Sequence, residues 1–468
     1  MNSSEKSLTA VTLIYTAGNF ASKVISLFLV FIVTFYLSKE AVGQFDLIIT
    51  TIALLAPLIS LQLSDAILRW IIKDRNVDTI SNVLTNVFFV VCINLLVFSL
   101  FYWGIISYLN IEHPLVIYFL LLLNVLFPLF HITARSLGKN IEFALSGLIF
   151  SVIYFSLTIV ALKFLGLKID GLLIAYSIGI FGAILYLIIK IRYLKYFSKK
   201  HISIDRTRQY IRYSLPLLPN TISWWAIAAS NRYLILAFLG VAANGIFAIS
   251  FKIPTILLTL TGIFYLAWQE KAIQTYDKAD RDIYYSQVLE KYVRLLLSAV
   301  LVLIAFNKLI LTYIVDRSFF EAWKYTPILL IAVIFQTLSS FYGTGYLSSK
   351  DTKGAFTTSV YGGLTTVGTS FLLIPYYGLY GASFAILLGY FVMFIARVIQ
   401  TKKYFSIKFP LKIFLILSLL ICFTAIISIT GNNLLFAMNL VLSLFVFGIF
   451  NRKMIFSYSK ILNNKIFR

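Results

Sequence analysis

Acidic residues are scarce in this chain: 18 Asp and Glu stand against 40 Lys and Arg in 468 residues, and charged residues together make only 12%. A soluble domain carries roughly 25% charged residues, and a chain of this length needs polar surface to cover its cores. The deficit excludes a water-soluble globular protein. Cysteine is nearly absent, and Cys92 and Cys422 both lie inside apolar runs, which excludes a disulfide framework. Histidine is limited to His113, His131 and His201, scattered along the chain, and neither HExxH nor a Cys/His cluster points to a metal. His131 reads as a hydrogen-bonded structural residue. There is no Walker A sequence, so ATP is not the direct energy source, and no GxSxG nucleophile motif. No cofactor is expected.

What the chain has in abundance is apolar sequence, 60% of residues with a mean hydropathy of +0.91. Its net charge of +22 sits in short clusters between long apolar runs rather than on one polar face, so nucleic acid is not the expected partner. The first apolar stretch, from about 9 to 37, exceeds the ~7–15-residue core of a cleavable signal. A helix needs about 20 apolar residues to cross the hydrocarbon. That ruler predicts spans near 9–37, 42–64, 80–108, 115–136, 142–164 and 171–191. A second set follows near 213–239, 242–267, 292–315, 322–347, 355–375 and 378–400, and a last pair near 411–430 and 433–450. The expected fold is therefore an all-α integral membrane protein with about fourteen transmembrane helices.

Basic residues orient these spans. With the N-terminus inside, the even-numbered connections fall at Arg69–Arg75, Arg135–Lys139, Lys190–Arg212, Lys271–Arg281, Lys350–Lys353 and Lys402–Lys412, and all are basic. The outer connections hold only Lys39, Lys163, Lys168, Arg317 and Lys324. The alternation places both termini in the cytosol. Every outer connection is short, which leaves no room for an extracellular catalytic domain. The largest inner connection, about 191–212, reads as a linker between halves.

The halves resemble each other. Leu37, Ala41, Gly43 and Phe45 recur as Leu239, Ala243, Gly245 and Phe247 at a shift of 202, and Gly171, Ala175 and Gly179 recur as Gly381, Ala385 and Gly389 at a shift of 210. Six helices return the chain to the same side, so the two units are parallel, as in transporters that rock two lobes about a central substrate. The expected division is 1–200 for an N-terminal six-helix lobe, 201–404 for a C-terminal six-helix lobe, and 405–468 for an added helix pair with a basic cytosolic tail.

Ionisable residues inside spans cost at least ~2.5–3.5 kcal/mol at the helix centre and by default face a cavity. Lys23, on one helical stripe with Asn19 and Ser26, lies about halfway along the first span, and Lys252 lies near the middle of the eighth. Arg232 and Asp46 lie close enough to a surface to snorkel as an alternative, and Lys308 and Arg397 read as snorkelling or interfacial. Asp65 and Arg69, four residues apart, have the spacing of an intrahelical pair. Arg135 and Lys139 serve orientation, with the alternative role of drawing an anion to a cytosolic mouth. Deep cations outnumber deep anions, so the cavity should take a negative ligand, and both Lys and Arg suit phosphate. Trp224 and Trp225 offer aromatic faces for sugar rings, with plain packing as the alternative.

Several segments together resemble the polysaccharide flippases of the Wzx type, in the superfamily that also holds the multidrug and toxin extruders. The opening Gly18-Asn19-Phe20-Ala21-Ser22-Lys23, followed by Tyr36 to Phe45, is similar to the first helix and Gly-containing turn of that family. Leu63-Ser64-Asp65-Ala66-Ile67-Leu68-Arg69 is similar to its second-helix ending. Ser214-Leu215-Pro216-Leu217-Leu218-Pro219, then Asn231-Arg232-Tyr233 and Phe238-Leu239-Gly240, resemble its seventh helix, although members typically carry Asp-Arg where Asn231-Arg232 stands. The resemblance implies two lobes around a cationic cavity and a polyprenyl-pyrophosphate-linked oligosaccharide as substrate, moved between leaflets of the bacterial cytoplasmic membrane by alternating access. It implies Lys23, Arg232, Lys252, Asn19 and Asn231 as substrate-binding residues. Asp46, Asp65 and Arg69 become candidates for coupling or gating, and membrane proteins of polysaccharide assembly become candidate partners. The rivals are a lipid II-type flippase, a drug or cation antiporter, which would need more buried carboxylates, and a membrane polysaccharide polymerase or glycosyltransferase, which would need a long outer loop.

Overall fold

The computed structural model describes Ile25 and residues 28–106, 112–349, 352–430 and 433–466, and among them every regular element is a helix. Among the described residues eleven helices are long and apolar enough to cross a membrane, or twelve if the pair Val241–Ser250 and Lys252–Thr275, bent by 42°, counts as one broken span. Each expected crossing from the second onward has its helix. The eleventh and twelfth are joined in Thr352–Thr401, where Gly378 at φ 55° and ψ −134° turns the chain between them. The first expected crossing begins outside the described residues.

The sequence fixes where these helices start and break. The helix α1 (Lys39–Ser60) begins at Ser38, whose hydroxyl accepts the Ala41 N–H. It stops where Leu61 and Gln62 adopt left-handed backbone, and α2 (Leu63–Lys73) follows in a new direction. Leu63, Ile67 and Ile71, spaced by four, form a fully buried stripe of α2, which packs on α4 (Pro114–Ser136). Outward faces of the spans stay apolar: Leu100, Leu364, Leu419 and Val441 are each at least 68% exposed. Hydrocarbon is the solvent these faces require.

Contacts divide the chain into two units, one holding the chain up to Trp225 together with Gly240–Gly245, the other Ala226–Leu239 and everything from Ile246 on. In the first unit the linker region is tightly docked. Its helix Ile204–Ser214 is tied to α3 (Val77–Ile106) by Asn86, whose amide donates to the His201 carbonyl (2.8 Å) and accepts from the Ser203 N–H (2.8 Å) and the Thr207 hydroxyl (3.0 Å). Trp70 meets the Tyr210 and Tyr213 rings edge-on. In the second unit the long helix Arg281–Ile314 is the hub. Both C-terminal helices, Leu411–Thr430 and Asn433–Ile466, pack on it, and Asn451 donates to Ser298 at 2.8 Å.

The repeat seen in sequence has a physical basis in glycine contacts. A Cβ on Gly43 would lie 2.0 Å from the Val241 carbonyl oxygen, and one on Gly245 would lie 2.0 Å from that of Lys39. Lys39 and Val241 are themselves related by the shift of 202, so the contact is reciprocal. The other set behaves alike. Gly179 approaches the Phe150 carbonyl and Gly389 that of Gly362, each on the preceding span of its own unit. Gly43→Ala should therefore cost about 1–3 kcal/mol through overpacking and lower the melting temperature of the detergent-solubilised protein. Gly147→Ala, with nothing within 4 Å, should leave it unchanged or slightly raised.

Candidate functional site

The break in the eighth span follows from Pro254. Proline has no N–H to donate to the carbonyl four residues back, here Ser250, and the buried Thr326 hydroxyl supplies a partner at 3.0 Å. At the break Lys252 is exposed and the preceding Phe251 lies under Arg232, whose guanidinium carbon is 4.4 Å from that ring centroid and 5.2 Å from the Phe247 centroid. Arg232 is only 7% exposed, which rules out snorkelling. One guanidinium nitrogen donates to the Ala228 carbonyl (2.6 Å) and the Asn231 side-chain oxygen (3.0 Å). Asn231 in turn donates to the Ala382 carbonyl at 3.4 Å and is fully buried. The Asn231 amide thus accepts from the guanidinium, which lies among the aromatic faces of Phe247 and Phe251. Asn231, Arg232 and Lys252 are brought to one region of the second unit. Lys23 and Asn19 lie outside the described residues.

Asp46 belongs to the first unit and is half-buried. The fully buried Asn244 links it to the glycine contact, its amide donating to the Gly43 carbonyl (3.0 Å) and to the Asp46 carboxylate (3.4 Å). Asn244 was not singled out by sequence reasoning, although it sits inside the repeated motif between Ala243 and Gly245. Trp225 donates its indole N–H to the Thr50 carbonyl at 3.0 Å.

Asp65 and Arg69 go to different partners. The Gln62 amide donates to Asp65 at 3.2 Å, while Arg69 lies 5.0 Å over the Tyr213 ring. Helix α2 is outside the candidate spans, and burial pushes the Asp65 carboxyl above its ordinary value, with the Gln62 hydrogen bond opposing. Arg135 is exposed and Lys139 half-buried at the turn after α4. A third cation, Arg75, docks there by donating to the Ser136 carbonyl at 3.0 Å. His131 sits between Phe127 and Phe143, its ring nitrogen 3.1 Å from the Phe143 carbonyl, in keeping with a structural role.

Arg397 corrects the sequence reading. It is 4% exposed rather than interfacial, and its guanidinium donates to the Ser339 carbonyl (2.9 Å), the Thr358 hydroxyl (3.2 Å) and the Ser359 hydroxyl (3.1 Å). It joins the tenth, eleventh and twelfth crossings. Lys308 is half-buried, with its ammonium 4.9 Å over the Trp323 ring.

A family of polysaccharide biosynthesis proteins matches residues 8–268, more than half the chain, and this chain belongs to that family. Among solved structures, the lipid II flippase MurJ in an inward closed conformation aligns with a TM-score of 0.70 at 16% identity, over 97% of this chain and 100% of that one. An inward-facing multidrug resistance MATE family transporter of the MOP superfamily aligns with a TM-score of 0.64 at 14% identity, over 84% of this chain and 97% of that one. A MOP superfamily transporter from Pyrococcus furiosus, described with a binding pocket of reverse polarity, gives 0.62 at 13% identity, over 84% and 95%. No curated protein sequence matches. At these identities the likeness is one of fold: a multi-pass membrane protein with the MOP-superfamily transporter architecture.

Two outcomes test the site's construction. Arg397→Lys should fail to restore the three-way fan of bonds, costing about 3 kcal/mol or more from charge-assisted hydrogen bonds, visible as a lower melting temperature. Asp65→Asn should stabilise the protein at neutral pH, because the raised carboxyl is penalised only when ionised. That gain should shrink as pH falls and vanish below the ordinary carboxylate range, which thermal scans across pH will read.

Proposed function

We propose that this protein is a flippase that moves a polyprenyl-pyrophosphate-linked oligosaccharide from the cytosolic to the outer leaflet, serving export of cell-surface polysaccharide. The observation that carries this reading is two cations at a broken span, buried Arg232 over the Phe251 ring and exposed Lys252 as the next residue along the chain, in a member of the polysaccharide biosynthesis family. A drug or cation antiporter calls for the opposite sign. In this reading Lys23, Arg232 and Lys252, with Asn19 and Asn231, attract the pyrophosphate, the glycan occupies a wet cavity and the polyprenyl tail stays in lipid. Asp46, Asp65 and Arg69 couple or gate the motion, and Arg135 and Lys139 guide the anion at the cytosolic mouth. Residues 1–200 and 201–404 act as the two lobes, while 405–468 adds a helix pair. The setting is the bacterial cytoplasmic membrane with both termini cytosolic. Nothing in this scheme requires covalent chemistry. The transported charge makes the cycle sensitive to voltage, about 2.3 kcal/mol per elementary charge per 100 mV.

A lipid II-type substrate is the second reading, favoured by the alignment with MurJ over nearly the whole chain. Translocation of fluorescent polyprenyl-pyrophosphate oligosaccharide into proteoliposomes, with lipid II as competitor, separates the two. The expected result is transport that Lys23→Ala and Lys252→Ala each reduce at least tenfold, about 1.4 kcal/mol of lost stabilisation, with lipid II competing weakly. Transport of lipid II alone would select the second reading. No transport of either lipid by folded protein would end both.

A further inference from the structure

The second unit contains a half-open cavity of about 220 Å³ between the helices Lys252–Thr275, Arg281–Ile314 and Thr326–Ser349. Clefts for drug-sized ligands run to roughly 300–1,000 Å³, so this one fits a single ring. Its walls are rigid aromatics. Trp268 stacks on Phe341 with centroids 4.3 Å apart, and Phe264 on Tyr292 at 4.0 Å. Between them stand uncharged polar groups. The hydroxyls of Thr261, Thr337 and Ser340 donate to carbonyls of their own helices, at 3.1, 2.9 and 3.0 Å; Thr261 and Thr337 also share hydrogen bonds with the Tyr292 hydroxyl, and the lone pairs left on the three oxygens are acceptors. The Gln336 carboxamide also lines the cavity, and among the described residues no hydrogen bond holds its side chain. It offers both donors and an acceptor.

This chemistry selects its ligand. No charged side chain lines the cavity, so it is not a pyrophosphate site. Acceptor hydroxyls and a free amide are wasted on an alkyl chain. A pyranose matches on both counts, with apolar C–H faces for the aromatic walls and hydroxyl hydrogens for the acceptors. We propose that this cavity is a subsite for one neutral sugar ring of the transported glycan, with Gln336 as its orienting group. The proposal rests on the flippase reading above but concerns groups separate from the cationic pair.

Gly262 makes a clean test. It lines the cavity, and a Cβ there would meet nothing within 4 Å, so Gly262→Leu starts a side chain into open space, with Gly262→Ala as control. Full-length protein in nanodiscs is titrated with polyprenyl pyrophosphate, bare or carrying one or two hexose or N-acetylhexosamine residues. In parallel, free disaccharides of the same sugars are added while indole fluorescence is followed. The expected result is a preference of about tenfold, or 1.4 kcal/mol, for at least one glycosylated lipid over the bare one. That preference should be lost in Gly262→Leu and kept in Gly262→Ala. The matching disaccharide should change a fluorescence signal that Trp268→Phe removes. Equal binding of bare and glycosylated lipids, or equal weakening of both by Gly262→Leu, overturns the subsite and leaves the flippase reading standing. If neither lipid binds, the flippase reading falls. The subsite then stands only if a disaccharide still moves the Trp268 signal in wild type and not in Gly262→Leu, and falls otherwise.

Discussion

Hydrocarbon supplies no hydrogen-bond partner, so any interruption of a membrane helix must find its partner within the protein. The eighth span shows how strict this is. Pro254 frees the Ser250 carbonyl, and the Thr326 hydroxyl from another helix approaches it. The break tolerated in this way sets Lys252 beside Phe251, over which Arg232 rests. A local backbone debt, settled by one threonine, therefore positions the cations on which the functional reading depends. Arg397 obeys the same constraint from the side-chain end, since a guanidinium at membrane depth persists only when its donors are taken up by Ser339, Thr358 and Ser359.

Close helix packing is the second requirement, because lipid tails give helices no hydrophobic reason to associate. Small residues let backbones meet, and the repeated glycines do this in pairs. Gly43 and Gly245 each meet the carbonyl that precedes the other by four residues, and Asn244 secures the contact by donating to Gly43. The polar bond adds direction to what dispersion alone would leave loosely specified.

These physical causes explain what could be read from sequence. Crossings were legible because hydrocarbon thickness imposes length and apolarity, and the glycines were legible as a repeat, although not as the close contacts they make. Arg397 was not, because its partners are small hydroxyls and a carbonyl, common in any membrane helix and informative only once three crossings converge. The docking of 191–212 was hidden for a related reason: Asn86 lies 115 residues or more from its partners, and a run of basic residues reads alike whether free or stitched down. The sugar-sized cavity left no local trace, since Gly262, Trp268 and Gln336 are each ordinary by themselves.

Laying the halves over each other sharpens the functional argument. At the shift of 202, Leu37, Ala41, Gly43 and Phe45 meet Leu239, Ala243, Gly245 and Phe247, so the packing core is kept. The polar positions are not. Asn231 and Arg232 correspond to Leu29 and Val30, Lys252 to Thr50, Asp46 to Ala248, and Lys23 to Trp225. A duplication maintained only for stability would have no reason to place Arg232 opposite Val30 or Lys23 opposite Trp225, given the cost of burying charge. The scaffold is symmetric where helices must touch and asymmetric where a ligand would be met. Under the flippase reading proposed above, that division suits a substrate that is charged at one end and sugar-like at the other.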